Sequence, residues 1–550
     1  MQLAACVLAV AAALTACTAV SDFDIEQCST DSDCETLQGP VRHCAAQRCV
    51  EGCLNNRQCS ELDPRFPICP VPGAQCVELS AEDGECRASS LYTDASMGDW
   101  TASDMLLVGA FAPSVKSSTW LTLLLALDEI EQAGGLASPG AASRPLLLVL
   151  CDDTPDSVEG ALLHLERLGV RAVLANLEQR ALAAALALPQ TQGHALYLSP
   201  GGSELSPADQ GAGPLWSLGA PSSTVVEAYP ALIRQALQSA RASKQDGSGW
   251  HVAFLVGPAR EDDSLAQAVR ASLTLDGKDA NALMGEDHLE IFALSDDSAE
   301  KRAQQLRELA AYAPDVVVLF TGGAFSTGDR EPRAGVLLTL EEAASPTSAW
   351  QPRYVLGPRN ANEPILRELA LSNPGFRARA TGLSADLPPD VSITVPLAQR
   401  FAAAYPNLGS GFAAEPGAYD AFFYLAYALA AAPRARVSLA LSEVEAGLAR
   451  ITDATAEPVL VGPGSAGLDT AIAHLADGVP FDTTGTTGPA RFNPEHFRAG
   501  PIHAYCWDAA GALANIASYD RASDAMTLQG NILTDPAVGC GAEVLRGAGN

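Results

Sequence analysis

The sequence predicts an α/β protein with two successive sets of parallel strands and helices, preceded by a small disulfide-rich segment. Three observations carry this reading. Solid apolar runs at 105–113, 145–150 and 314–320 lack alternation and have strand length, as strands buried on both faces do. Stretches with helical spacing alternate with these runs, the pattern of βαβ units. Nine of the 14 cysteines crowd between Cys28 and Cys86 in a polar stretch, which argues for an oxidising compartment outside the cytoplasm.

The totals narrow the possibilities. A chain of 550 residues, 48% of them apolar, should hold two or more compact bodies. A net charge of −31 repels phosphate backbones, so nucleic acid is not expected as a partner. No basic run suggests a membrane-surface patch.

The apolar run at 3–13 is too short to span a bilayer and leads into Leu14-Thr15-Ala16-Cys17. This resembles a bacterial lipoprotein signal, in which the Cys after the small residues is lipidated. The resemblance makes 1–17 the signal and Cys17 the lipid-bearing residue, although the usual Lys or Arg ahead of the run is absent. An ordinary secretory signal cut nearby is the alternative, and both export the protein.

Residues 18–86 form a Cys-rich region with an internal repeat. Cys28, Cys34 and Cys44 recur 25 positions later as Cys53, Cys59 and Cys69, and Cys49 recurs loosely as Cys76. Modules this short need disulfides as staples. Two four-Cys modules leave Cys86 over, and spacing does not give the pairing. Zinc is disfavoured, because no C-x-x-C pair is present. The region is expected to fold separately, joined by a polar linker at 87–104.

The body is expected at 105–521. The strand at 105–113 stops at Pro113. Ser117 and Ser118 cap a helix at 120–133 that closes on Gly134-Gly135. The strand at 145–150 runs into Cys151-Asp152-Asp153. Helices at 157–168 and 177–188 alternate with strands at 170–175 and 195–199, the latter ending in Pro200-Gly201-Gly202-Ser203. An extended piece at 215–220 leads through Pro221-Ser222-Ser223 to a long helix ending near Ala242. The second set has strands at 250–256, 289–294, 314–320 and 354–356. Its helices lie at 264–275, 299–313, 333–344 and 364–371. Three helices follow, at 396–405, 417–432 and 439–451. The second is apolar nearly all round and should be buried. Residues 481–492 read as extended, 502–507 as a late strand, and 522–550 as a polar tail.

In this order the residues resemble the type I periplasmic solute-binding proteins, specifically the branched-chain amino-acid-binding (leucine-binding) group. Gly109-Ala110-Phe111-Ala112-Pro113 is similar to that family's first strand and ligand loop, with Ser114 next. Residues 126–136, with Asp128 and Gly134-Gly135, resemble its first helix, and Asp152-Asp153 its acidic pair after the second strand. Residues 198–203 are similar to its ligand-holding turn. Tyr419-Asp420-Ala421 resembles its buried-helix motif. Gly485 to Phe492 resembles its Gly-x-x-Gly-x-x-x-Phe signature near the last hinge. The resemblance implies two Rossmann-like lobes joined by three crossings, with ligand in the cleft. Lobe 1 would be 105–219 and 396–481, and lobe 2 would be 221–386 and 488–521.

Signals for other chemistry are weaker. Gly462-Pro463-Gly464-Ser465-Ala466-Gly467 fits G-x-G-x-x-G, but its leading strand is about three residues and no βαβ return strand follows. Ser465 lacks the glycine context of a nucleophile elbow, because Pro463 stands there. Gly277-Lys278 has no P-loop spacing, and the eight His are scattered. Asp152-Asp153 could be a catalytic pair, but an Asp at a strand end more often caps a helix or lines a rim. Cys151 reads as a buried thiol or a disulfide partner. Cys506 and Cys540 could pair with each other, or one could take Cys86. No enzyme activity, cofactor or metal is expected.

The expected function is capture of an amino-acid-like small molecule by an exported, lipid-anchored protein, for an ABC-type permease or a sensor. The rival is a non-transport surface lipoprotein with a degenerate cleft, acting through its Cys-rich modules. By resemblance, Ser199, Gly202 and Ser203 would hold the ligand carboxylate. The family's Ser-Ser-Ser-Thr loop corresponds here to residues 176–179, beginning at Asn176, which loses most of the hydroxyls. Arg359 replaces a lobe-2 acid, Glu261 stands where a Tyr is usual, and Phe325 lies near the second aromatic. An Arg holds a carboxylate, not an ammonium. Leucine, isoleucine and valine should therefore bind poorly, and any true ligand should carry an acidic group facing Arg359, with Glu261 taking the ammonium. The alternative is that Arg359 is a solvated rim charge in a cleft that binds nothing.

Overall fold

The computed structural model describes residues 42–45, 48–53, 56–63, 66–70, 74–80, 86–89, 105–112, 117–139, 141–153, 158–177, 195–202, 215–243, 249–257, 260–294, 299–320, 340–341, 350–362, 364–385, 391–408, 412–432, 439–498, 500–511, 513–528 and 540. The chain divides into two compact units. Unit 1 comprises Met1–Leu174, Ala187–Leu196 and Phe422–Phe481, and unit 2 comprises Ala175–Leu186, Tyr197–Ala421 and Asp482–Asn550.

Unit 1 begins with the antiparallel strands β1 (Arg42–Ala45) and β2 (Arg48–Glu51) and the helix α1 (Asn56–Leu62). Then come β3 (Cys86–Ser89), β4 (Leu106–Ala112), α2 (Ser118–Gln132), β5 (Leu136–Ser138), β6 (Ala141–Arg144), β7 (Leu146–Asp152), α3 (Val158–Arg167) and β8 (Ala172–Leu174). β4 lies between β7 and β8, all parallel, and every residue of β4 is buried. This is the solid apolar run of a parallel strand covered on both faces. α2 starts where the Ser117 hydroxyl accepts the Trp120 N–H at 3.1 Å and ends at Gly134 and Gly135, both with positive φ. Gly135 must be glycine, because a Cβ there would stand 2.4 Å from the Arg144 carbonyl oxygen.

The Cys-rich segment departs from expectation. Cys53 pairs with Cys69 and Cys59 with Cys76. The sulfurs of Cys53, Cys59 and Cys76 cluster, but each is spent in a disulfide rather than offered to a metal. Residues 87–89, expected in a polar linker, continue β3, which pairs antiparallel with β7 from Cys86↔Cys151 to Ser89↔Leu148. Cys86 is not left over: it is bonded to Cys151, which is therefore a disulfide partner and not a free core thiol. The described part of the segment packs against the body. Buried Asn56 accepts the Cys69 N–H at 2.8 Å and donates to the Met105 sulfur at 2.6 Å, and the His164 ring meets the Leu79 carbonyl at 3.1 Å. The physical reason is the sheet edge: β3 satisfies backbone groups of β7 that would otherwise lie open.

The chain continues with β9 (Leu196–Gly202), β10 (Leu215–Gly219), α4 (Tyr229–Ser243), β11 (Val252–Val256), α5 (Arg260–Ser272), β12 (Thr274–Leu275), β13 (Lys278–Asp279), α6 (Ala280–Gly285), β14 (Leu289–Ala293), α7 (Ala299–Tyr312) and β15 (Val316–Phe320). Next are β16 (Arg353–Leu356), α8 (Pro364–Ser372), α9 (Pro374–Arg379), β17 (Ala380–Ser384), α10 (Val391–Ala404), α11 (Pro416–Ala431), α12 (Leu441–Ile451), β18 (Glu457–Leu460), α13 (Leu468–Asp477), β19 (Phe481–Gly485), β20 (Gly488–Pro489), β21 (His503–Trp507), β22 (Leu513–Asp520) and β23 (Ala525–Leu528). A 3₁₀ turn, Ser222–Ala228, precedes α4, and its cap residue Pro221 makes no side-chain bond. Pro396 does not begin a helix but lies inside α10.

The main sheet of unit 2 has the order β14-β11-β15-β16-β17-β21-β22-β23. The first five strands are parallel and the last three antiparallel. Val252, Phe254 and Val256 enter one core while Ala253 and Leu255 enter another, so both faces of β11 are covered. β23 falls in the stretch expected as a polar tail, and Cys540 beyond it bonds Cys506 on β21. The open choice for these two cysteines thus resolves as a mutual pair.

A buried ion pair ties Leu340–Glu341 to this core. Arg379 donates to Glu341 at 2.7 Å, with both side chains 5% exposed. Tyr354 O–H and Asn373 Nδ2 also donate to the Glu341 carboxylate, and Arg379 Nη1 donates to the Pro352 carbonyl. Burial holds the Tyr354 phenol well above its ordinary pKa, so it remains a donor.

Two outcomes follow. Glu341→Ala strands the Arg379 charge and should cost about 3–5 kcal/mol in urea unfolding, and Glu341→Ala with Arg379→Met should recover much of that loss. Peptide mapping without reductant should find Cys86 joined to Cys151. Replacing both with Ser should lower stability by about 4 kcal/mol on the chain-entropy account of a loop this long.

Candidate functional site

The carboxyl ends of parallel strands are where open α/β sheets bind ligands. In unit 2 one such end is the turn that closes β9. Ser199, 9% exposed, lies with its hydroxyl 3.2 Å from the Gly201 carbonyl. β10 pairs parallel with β9, including Ser217↔Ser199 and Gly219↔Gly202. The Ser217 hydroxyl lies 2.6 Å from the Gly201 carbonyl and 2.9 Å from that of Gly219, donating to one at a time. The Ala175 N–H donates to the Leu198 carbonyl at 2.9 Å, which sets half-buried Asn176 beside this strand end.

α11 braces the same turn. A Cβ on Gly417 would stand 2.2 Å from the Pro200 carbonyl oxygen, so the helix start and the turn touch backbone to backbone. One turn of helix later, Asp420 is completely buried. Its Oδ1 accepts the Thr486 N–H at 2.8 Å and O–H at 2.9 Å. Its Oδ2 accepts the Thr487 N–H at 2.8 Å and O–H at 2.6 Å. Thr486 and Thr487 are the two-residue loop of the β19–β20 hairpin, between the paired Gly485 and Gly488. Buried Arg498 donates to the Thr487 hydroxyl at 2.7 Å, to the Gly488 carbonyl at 3.1 Å and to the Leu218 carbonyl at 2.7 Å. Its own N–H donates to the Ser217 carbonyl at 3.0 Å. The contacts close a ring: turn 199–202, Ser217, Arg498, Thr487, Asp420, Gly417, and back to Pro200. Burial pushes the Asp420 carboxyl above its ordinary pKa, outweighing the threonine donors and the Arg498 charge, which pull it down.

A second built strand end in unit 2 follows β16. Asn360 Oδ1 accepts the Gly357 N–H at 2.9 Å, and the Tyr505 hydroxyl donates to the Gly357 carbonyl at 2.8 Å. The Tyr505 ring occupies the space a side chain at 382 would need, since a Cβ on Gly382 would stand 2.1 Å from Tyr505 Cζ. Arg359 lies in the 3₁₀ turn Pro358–Asn362 that these bonds hold.

The remaining expected site residues fall as follows. Glu261 is in the first turn of α5, and Gly202 closes β9. Cys17, Cys28, Cys34, Ser114, Ser203 and Phe325 lie outside the described residues. Cys44 and Cys49 face each other in the β1–β2 register, and their side chains also lie outside the description. In unit 1 the strand end at Asp152 sits next to the Cys86–Cys151 bond. The G-x-G-x-x-G stretch is a closed loop: its carbonyls at Gly462 and Gly464 accept the Leu468 and Gly467 N–H groups, so those amides face the loop itself rather than a phosphate. Sequence reasoning named Tyr419-Asp420-Ala421 and Gly485 to Phe492 separately and missed that they meet, and it missed Arg498. A lone carboxylate in an otherwise apolar helix was the available signal.

No protein-family model and no curated protein matches the chain. Among solved structures it is similar to an ABC-transporter solute-binding protein from R. palustris in complex with benzoate. Identity is 14% over 79% of this chain and 99% of that one, with TM-score 0.48. It is also similar to an ABC-transporter substrate-binding protein from Desulfitobacterium hafniense in complex with Leu, at 14% identity, 75% and 100% coverage and TM-score 0.42. A leucine-binding protein from Thermotoga maritima is similar at 11% identity, 76% and 99% coverage and TM-score 0.45.

Asp420→Asn turns one oxygen into an NH₂ that faces two donors, and each stranded donor should cost about 1–3 kcal/mol. The pH dependence has a definite sign. The folded state binds the Asp420 proton more tightly than the unfolded chain does. The stability of wild type relative to Asp420→Asn should therefore fall as pH rises from about 3.9 through the raised folded value, then level off. Urea titrations across that range check it; a difference that grows with pH would mean that the donors outweigh burial.

Proposed function

We propose that this is an exported solute-binding protein that captures a small amino-acid-like molecule at the strand ends of its α/β body, for an ABC-type importer or a sensor. The observation that carries the reading is the ring of contacts around the 199–202 turn. The sequence segments that resemble the solute-binding family's ligand turn, buried-helix motif and hinge signature are the ones joined there. A turn held this way keeps its shape without ligand, as a binding site needs. The disulfides support export. No helix among the described residues is long and apolar enough to cross a membrane, and attachment through a lipid on Cys17 is part of the proposal.

Arg359 on its braced turn favours a ligand with an acidic group, and Ser199, Gly202 and Ser203 would receive the α-carboxylate. Asn176, Ser114, Glu261 and Phe325 complete the proposed contact set. A second reading, a surface protein acting through its Cys-rich modules, draws on the fixed attachment of that segment to unit 1.

A thermal-shift screen with L-leucine, L-glutamate, L-aspartate and benzoate tests the first reading. A ligand at a hundred times its Kd adds about 2.7 kcal/mol to stability. The acidic amino acids should raise the melting temperature, leucine should not, and Arg359→Ala should abolish the shift. Tight leucine binding indifferent to Arg359→Ala would overturn the ligand assignment, and no shift with any of the four would favour the second reading.

A further inference from the structure

We infer that Asp420 and Gly417 are positioning residues: together they set the place and stiffness of the 199–202 turn. The inference deepens the solute-binding reading and rests on it for its functional meaning, but the positioning itself can be measured without ligand.

The argument is geometric. The start of α11 has two fixed points, a turn apart. At Gly417 it touches the Pro200 carbonyl so closely that no side chain fits. At Asp420 it is tied to the 486–487 loop by four hydrogen bonds, and the Thr486 hydroxyl also lies 3.1 Å from the Pro416 carbonyl. The loop is tied in turn to β10 through Arg498, and β10 is tied to the turn through Ser217. The turn is therefore held from two sides, by the helix start against Pro200 and by β10 against Gly201. A shift of the helix start must either move the turn or open the gap at Pro200. Asp420 is the group that prevents that shift, because both its oxygens are committed to one hairpin loop.

An ordinary packing role would look different. Gly447 offers the comparison. Gly447 is in α12, and a Cβ there would stand 2.1 Å from the Ala428 carbonyl oxygen of α11, as tight as the Gly417 contact, yet it lies nowhere in the ring. Gly417→Ala and Gly447→Ala impose similar clashes on α11 and should lower the melting temperature by similar amounts.

The test is hydrogen exchange on the ligand-free full-length protein, followed in peptides covering 196–202. Gly417→Ala and Asp420→Asn should each speed exchange there by about tenfold or more, and Gly447→Ala should leave it within about twofold. Thr487→Val, which removes one donor and the Arg498 contact, should give an intermediate increase and serves if Gly417→Ala does not fold. Unchanged exchange at 196–202 in the folded ring variants would overturn the inference. So would an equal increase in Gly447→Ala, since the turn would then be reporting general loosening. Because no ligand enters the measurement, a negative ligand screen counts against the solute reading and leaves this result standing, and the converse also holds.

Discussion

A single buried carboxylate organises the contacts around the 199–202 strand end of unit 2. Taking Asp420 out of water costs several kcal/mol, and the fully buried side chains that follow it, Ala421, Phe422 and Phe423, offer nothing polar in return. The compensation comes from two residues of a hairpin loop. A two-residue loop cannot pair its own N–H groups within the hairpin, so Thr486 and Thr487 would otherwise bury donors without acceptors. One carboxylate solves both problems. A leucine at 420 would avoid the desolvation but leave two backbone N–H groups unmet. Such a network is worth having only when complete, because a half-satisfied one is worse than an apolar core. Arg498 completes it by neutralising part of the charge and carrying the connection to β10.

The N-terminal segment answers a different constraint. A parallel sheet that ends at β7 leaves a row of unpaired backbone groups, which invites pairing with another chain. β3 covers that edge with four residues, and the Cys86–Cys151 bond keeps so short a strand in place. The rest of the segment follows: Asn56 bridges Cys69 and Met105, and Pro70 packs against Gly169, whose positive φ suits glycine. A module too small to build its own core thus borrows the surface of a larger one.

What the sequence revealed about the fold followed burial. β4, β7, β11 and β15 were legible because both faces are covered and the apolar run is unbroken. The helix at 417–432 was legible as buried for the same reason. β3, β22 and β23 were not, since partly exposed strands such as Leu513–Asp520 are held by backbone pairing, which leaves little hydrophobic pattern. The two-residue strands at 274–275 and 278–279 are below the length at which alternation can be seen. The site shows the same division. Its parts were readable one by one as short motifs, but Asp420 and Thr486 are 66 residues apart, and nothing in local spacing announces that they meet. Arg498 carries no local signal at all, because its partners are mostly carbonyls, which every residue offers.

The built turns of unit 2 share one device. The turn that closes β9 is held by Ser217, the one after β16 by Asn360 and Tyr505, and the β19–β20 loop by Asp420. In each case a buried side chain fixes backbone groups of, or beside, a glycine-containing turn; Asn360 does so from within its own turn, and Ser217, Tyr505 and Asp420 from elsewhere in the sequence. Glycine lets the backbone come close, and the side chain removes the freedom that glycine brings. The thermodynamic consequence concerns binding. A loop that must be ordered on capture subtracts that cost from the affinity, while one already ordered does not. The protein meets the cost during folding, in desolvated polar groups such as Asp420 and Arg498, so strand-end turns with few apolar side chains can still hold their N–H groups and hydroxyls in fixed positions.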